Sequence, residues 1–175
     1  MLLSLLPSTL ALGCGGGEDD DEVGDDEVAD DGAPNEMCLS GVEWVGGEQE
    51  SPRMHPGNDC LDCHQSRGEA EDVVLAGTVY GAMNEADDCF GVEGVRVQIT
   101  DSQAHVFELV SNSAGNFVLE FEGEPGQVEL VPPYSAKLIY EGRERVMATM
   151  QTLTSCNSCH TQTGANGAPG RILAP

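Results

Sequence analysis

The 175-residue chain is short of basic and aromatic side chains: 7 Lys and Arg stand against 31 Asp and Glu, and Phe, Trp and Tyr make up 5%. The formal net charge of −24 at pH 7 excludes the attraction on which binding to nucleic acid phosphates or anionic head groups depends, so no nucleic acid is expected as a partner. Long apolar runs are missing as well. The one at residues 1–13 falls short of the ~20 residues that a membrane-spanning helix needs. No Lys or Arg precedes Arg53.

The acidity is unevenly spread. Between Glu18 and Asp31 only Val23, Gly24, Val28 and Ala29 are not acidic, and so little apolar surface cannot offset the entropy lost on ordering. Residues 14–36 therefore read as a solvated, self-repelling tether that reaches at most ~3.5 Å per residue. Ahead of it, MLLSLLPSTLALG is followed directly by Cys14, and Ala11-Leu12-Gly13-Cys14 resembles the lipobox of a bacterial lipoprotein signal peptide. That resemblance implies cleavage of residues 1–13 and lipidation of Cys14. The mature protein would then sit in the bacterial cell envelope as an outer-membrane-anchored lipoprotein facing the periplasm or the cell surface, held to the membrane by a lipid anchor only.

Cysteine spacing carries the sharpest chemistry. Cys60-Leu61-Asp62-Cys63-His64 and Cys156-Asn157-Ser158-Cys159-His160 are two copies of C-x-x-C-H, the attachment motif of c-type haem. Two thiols two residues apart can reach the two vinyl groups of one porphyrin, and the adjacent imidazole then serves as the iron's fifth ligand. The expected cofactors are two covalently bound haem c groups, with His64 and His160 as metal ligands. Three other readings use the same cysteines. An all-cysteine zinc site would leave both histidines unexplained. A thioredoxin-like dithiol needs a βαβ context and a helix starting at the motif, and the sequence signals neither. A pair of structural disulfides is the third. Of the seven cysteines, Cys14 and the four motif thiols leave Cys38 and Cys89, which an oxidising compartment would pair.

For sixth ligands, Met54 or His55 ahead of the first motif and Met147 ahead of the second are the candidates. His/Met ligation raises the reduction potential relative to bis-His. His105 falls in a strand-like run and reads as an ordinary surface or core residue.

Between the motifs the chain reads as β-structure. Short β-branched or aromatic runs at residues 73–80, 92–100, 104–110, 116–121, 127–131, 136–140 and 145–149 are separated by turn residues, and the alternation is clearest at Val95, Val97 and Ile99. The fold class expected is all-β, a seven-stranded Ig-like or prealbumin-like sandwich over residues 73–149. Loop-rich haem-binding segments at 37–72 and 150–175 would flank it. Domain termini emerge close together, so the flanking motifs would lie side by side, with Gly164 to Pro169 wrapping the second haem as a loop.

Gly77-Thr78-Val79, Gly94-Val95-Arg96-Val97 and Gly115-Asn116-Phe117 resemble the signature of carboxypeptidase regulatory-like domains, which are transthyretin-like sandwiches without catalytic machinery. The whole chain, with MHPGNDCLDCH before and CNSCHTQTGANGAPGRI after that region, resembles a group of bacterial exported proteins combining these parts. The function read from the sequence is a dihaem c-type cytochrome lipoprotein relaying electrons between redox protein partners in the cell envelope. It would be an electron carrier and not an enzyme; peroxidase-like activity stays open, although no distal acid–base group can be assigned. The alternative is a non-catalytic binding or structural lipoprotein whose C-x-x-C pairs hold zinc or disulfides.

Overall fold

The computed structural model describes Cys38, Leu39, Gly41, Val42, Trp44, residues 51–68 and residues 72–175. The signal peptide at 1–13, the lipidation site Cys14 and the tether at 14–36 lie outside the described residues.

The described residues form an all-β fold whose strands make two sheets, with one short α-helix. The helix, α1 (Cys60–Arg67), starts at the first cysteine of the first motif, contrary to the sequence expectation of a loop there. The signals were local and short. The Asp59 carboxylate caps the helix by accepting the Asp62 N–H (3.1 Å), and Gly68 ends it in the left-handed region at φ 66°. No βαβ unit accompanies it among the described residues.

β1 (Val73–Tyr80) lies at the centre of a three-stranded sheet, between antiparallel β4 (Asn116–Glu120) and parallel β7 (Ile172–Leu173). The second sheet orders β3 (Val106–Val110), β2 (Arg96–Thr100), β5 (Ser135–Tyr140) and β6 (Arg143–Val146), all antiparallel. Both sheets feed one apolar core: Leu75 and Val79 of β1, Phe117 of β4, Val97 and Ile99 of β2, and Leu138 of β5, with Val95, Leu130 and Tyr134. β1 is buried along six consecutive residues because both of its faces are covered.

Two expected strands differ. Residues 127–131 form no strand. Their backbone groups go elsewhere: Val131 N–H donates to the Asp101 carboxylate (3.2 Å), and Val131 C=O accepts from Ser102 N–H (3.1 Å). Pro132 and Pro133 then supply no N–H to any ladder. Leu130 is nevertheless buried in the core, which is why its neighbourhood looks strand-like in sequence. The strand expected at 145–149 runs instead from Arg143 to Val146. Met147 N–H makes the last backbone bond, to Ala136 (2.9 Å), and the chain turns away.

Cys38 and Cys89 are joined by a disulfide with Cα atoms 5.7 Å apart, clipping the segment before the first motif onto the loop after β1.

Candidate functional site

β1 is the platform on which both motifs meet. Its alternation sends Leu75 and Val79 into the core and Thr78 and Tyr80 to the opposite face. Along the edge away from β4, Ala76 bridges Ser155 in parallel and Val79 and Tyr80 pair with Ile172 and Leu173. Residues 156–171, which contain the second motif, are thus an excursion that leaves and rejoins one strand edge. A 3-10 turn at Cys156–Ser158 begins it.

Cys156 and Asn157 straddle that edge. Cys156 packs on the core side, where a Cβ on Gly77 would meet Cys156 Cβ at 2.8 Å and the Phe117 ring at 2.7 Å; the absence of a side chain at Gly77 lets the thiol in. Asn157, 3% exposed, reaches the other side. Its Oδ1 accepts from Thr78 N–H (3.0 Å), and its Nδ2 donates to Thr78 Oγ1 (3.1 Å) and to Asn58 C=O (2.8 Å), just ahead of the first motif. Thr78 Oγ1 in turn accepts from Gly57 N–H (3.0 Å) and donates to Asn116 Oδ1 (2.8 Å). Asn116 Nδ2 donates to Met54 C=O (2.9 Å). Ser155 Oγ also contacts the Asp59 carboxylate that caps α1. A buried polar node therefore holds together two motifs that lie far apart in sequence, as the closeness of domain ends suggested.

The second motif opens on a cavity of about 540 Å³, within the range of cofactor-sized pockets. Cys156, Cys159 and His160 line it together with Met147, Val97, Ile99, Phe117, Leu138 and residues 166–169, so its walls are mainly apolar. The Gly164–Pro169 loop is irregular and folds back on the motif, Ala165 N–H donating to Cys159 C=O (2.8 Å). His160 Nδ1 lies 2.9 Å from Gly170 C=O. A carbonyl only accepts, so Nδ1 is the donor and the neutral ring presents its lone pair at Nε2, the arrangement found behind metal-bound imidazoles. Burial pushes the Cys156 thiol up to about 12; the Tyr134 hydroxyl opposes that rise, and the Cys60 and Cys159 sulfurs add to it.

The first motif is arranged differently. On α1, Cys60, Cys63 and His64 fall at i, i+3 and i+4, one face of the helix. Burial and then the Asp59 charge push the Cys60 thiol up to about 11. His64 Nδ1 is buried without a hydrogen-bond partner among the described residues. Cys60, Cys156 and Cys159 are free thiols, whereas Cys63 is disulfide-bonded. Of the sixth-ligand candidates, Met147 lines the cavity of the second motif. Met54 is half-buried and its carbonyl belongs to the polar node. The His55 ring lies 4.3 Å from the Trp44 ring, and burial followed by the Arg67 charge lowers its pKa. His105 is remote from both motifs in sequence and bonds through Nδ1 to the Asp101 carboxylate (3.0 Å).

Sequence reasoning missed Arg171. Its side chain is 1% exposed. Nε donates to Glu85 C=O (3.0 Å), Nη1 to His160 C=O (3.3 Å), Nη2 meets the Asp87 carboxylate, and the guanidinium lies 5.2 Å from the Tyr80 ring centroid. Five donors in one planar group let it tie the 83–89 loop to the second motif.

Among the described residues, one cluster of cysteine and acid donors gathers within 4.8 Å: Cys38, Glu85 and Cys89. Its sulfurs are bonded to each other, and Leu39 N–H donates to the Glu85 carboxylate (2.6 Å). None of the four motif cysteines belongs to such a cluster among the described residues. No protein-family model matches the chain, and no match was found among curated proteins or solved structures.

Proposed function

We propose that the chain is a dihaem c-type cytochrome lipoprotein that relays electrons between redox proteins of the bacterial cell envelope, anchored through Cys14. One observation carries the reading. His160, with its Nδ1–H spent on Gly170 C=O, lines an apolar cavity beside Cys156 and Cys159. Those residues fit a haem c: Cys156 and Cys159 would form the thioethers, His160 would bind the iron, and Met147, lining the same cavity, is the sixth-ligand candidate. When bound, the haem supplies a one-electron Fe(III)/Fe(II) couple. The chain's own residues exclude water, orient the imidazole and fix the tautomer. At the first motif Cys60, Cys63 and His64 would hold the second group, with Met54 or His55 as sixth ligand, and attachment there requires Cys63 as a reduced thiol.

The finer fold proposed is a prealbumin-like sandwich of the carboxypeptidase regulatory-like kind. The three glycine motifs support it. Gly115, at φ 84°, lets the β4 turn approach the Gly91 backbone so closely that a Cβ would sit 2.6 Å from Gly91 Cα.

The test is production in a host with haem-attachment machinery, followed by denaturing electrophoresis stained for haem. Wild type should retain covalent haem, and Cys156→Ala with Cys159→Ala should lose the share attached at the second motif. A colourless, exported wild type, or one carrying zinc, would instead support the binding-lipoprotein alternative.

A further inference from the structure

We infer that Arg145 is a binding residue of the second site: its guanidinium takes a carboxylate of the porphyrin held there and so sets which edge of the ring faces the cavity mouth. The inference rests on the cytochrome reading above.

β6 is an edge strand of the four-stranded sheet, and its register fixes where Arg145 stands. Val97 of β2 pairs with Leu138 of β5, and Leu138 pairs with Arg145 of β6. Cross-strand partners share a face, so Arg145 takes the inner position of a row whose other two members are core residues. Met147 follows two residues later on the same face, its N–H bonded to Ala136 C=O. Both side chains line the cavity of the second motif. Packing alone would call for an apolar residue at an inward position beside Leu138. Arg145 is exposed, which puts its charge at the mouth of the cavity.

The charge of the lining singles this residue out. The chain has 31 Asp and Glu, yet none lines the cavity, whereas two of its seven basic residues do, Arg145 and Arg171. Arg171 is already engaged by two backbone carbonyls and by the Asp87 carboxylate. The neighbouring ion pairs leave Arg145 out: Arg143 pairs with Glu141 and Lys137 with Glu144, and Arg145 has no ion pair among the described residues. An apolar pocket with an uncompensated cation at its opening suits a flat apolar molecule with an anion on one edge. Haem has that form, with two propionates on one edge of the macrocycle. A guanidinium can hold a carboxylate through two parallel N–H···O bonds, which fixes orientation as well as adding affinity.

The test uses the full chain made in a host without haem-attachment machinery. It is titrated with ferric mesoporphyrin, whose ethyl groups cannot form thioethers, and with the dimethyl ester of the same compound. Absorbance reports binding, and the share lost in His160→Ala is assigned to the second site. The readout is the ratio of the two affinities, which isolates the carboxylates. Arg145→Met should shift that ratio towards the ester by about three- to fivefold, the effect of one ion pair at an exposed position. Arg145→Lys should keep part of the preference, and Arg96→Met, on the outward face of β2, should leave the ratio unchanged. A merely structural role for Arg145 would weaken both compounds alike. An unchanged ratio in Arg145→Met, or an equal shift in Arg96→Met, overturns the inference. Should Arg145→Met fail to fold, Arg145→Gln decides by the same criterion. Absence of any His160-dependent binding in wild type would defeat the haem reading of this site and the inference with it, whereas binding with an unchanged ratio defeats the inference alone.

Discussion

The two C-x-x-C-H motifs share a spacing and little else. The first lies on a capped α-helix, and the second starts a 3-10 turn on a strand edge. In the slot after the first cysteine, both chains of contact go inward: Leu61, 6% exposed, and Asn157, 3% exposed. One is anchored by apolar burial, the other by hydrogen bonds across β1. His64 has a buried Nδ1 without a hydrogen-bond partner among the described residues, whereas His160 is oriented by a carbonyl beside a cavity. The shared C-x-x-C-H pattern therefore does not dictate a local structure. What surrounds it decides whether its imidazole is poised.

The largest way to break this comparison is Asn157→Leu. It keeps the branched shape at a larger volume but leaves the buried Thr78 N–H without its acceptor and removes the donor to Asn58 C=O, and a buried unpaired group costs ~1–3 kcal/mol. A loss of about 3 kcal/mol in urea denaturation is expected, together with separation of the motifs. Leu61→Ala should cost about 2 kcal/mol, at the low end for a buried leucine because α1 is a short helix at the periphery, and it should leave the His160 site unaffected. Asp59→Ala removes the cap of α1 and the contact with Ser155, for about 1 kcal/mol.

The smallest effect is kinetic. In the haem-free protein both Cys60 and Cys156 are raised, to about 11 and about 12, so both remain protonated thiols at neutral pH. Their alkylation should accelerate with rising pH because the thiolate is the nucleophile, with Cys60 reacting ahead of Cys156. Peptide mapping after timed iodoacetamide treatment checks this; equal rates would mean that the two thiols are equally buried.

Sequence pattern reached the parts of this molecule that depend on local periodicity or on spacing. The alternation at Val95, Val97 and Ile99 does mark a core strand, and subtraction among seven cysteines isolated Cys38 and Cys89, which the structure joins. It failed where tertiary partners substitute for a ladder, as at residues 127–131, held by Asp101 and Ser102. The polar node was hidden for a related reason. Asn157 meets Thr78 and Asn58 across sequence separations of 79 and 99 residues, and no window of sequence contains such a pair. Arg171 gave one faint signal, as one of only seven basic residues in a chain with so many acids.

The central claim is covalent haem at both motifs, and intact mass of the matured protein tests it most directly. After denaturation and acid extraction, the polypeptide should carry the added mass of two haem groups, falling to one with Cys60→Ala and Cys63→Ala and to one with Cys156→Ala and Cys159→Ala. A mass equal to the bare processed polypeptide, from a host that attaches haem to other proteins, would contradict the account.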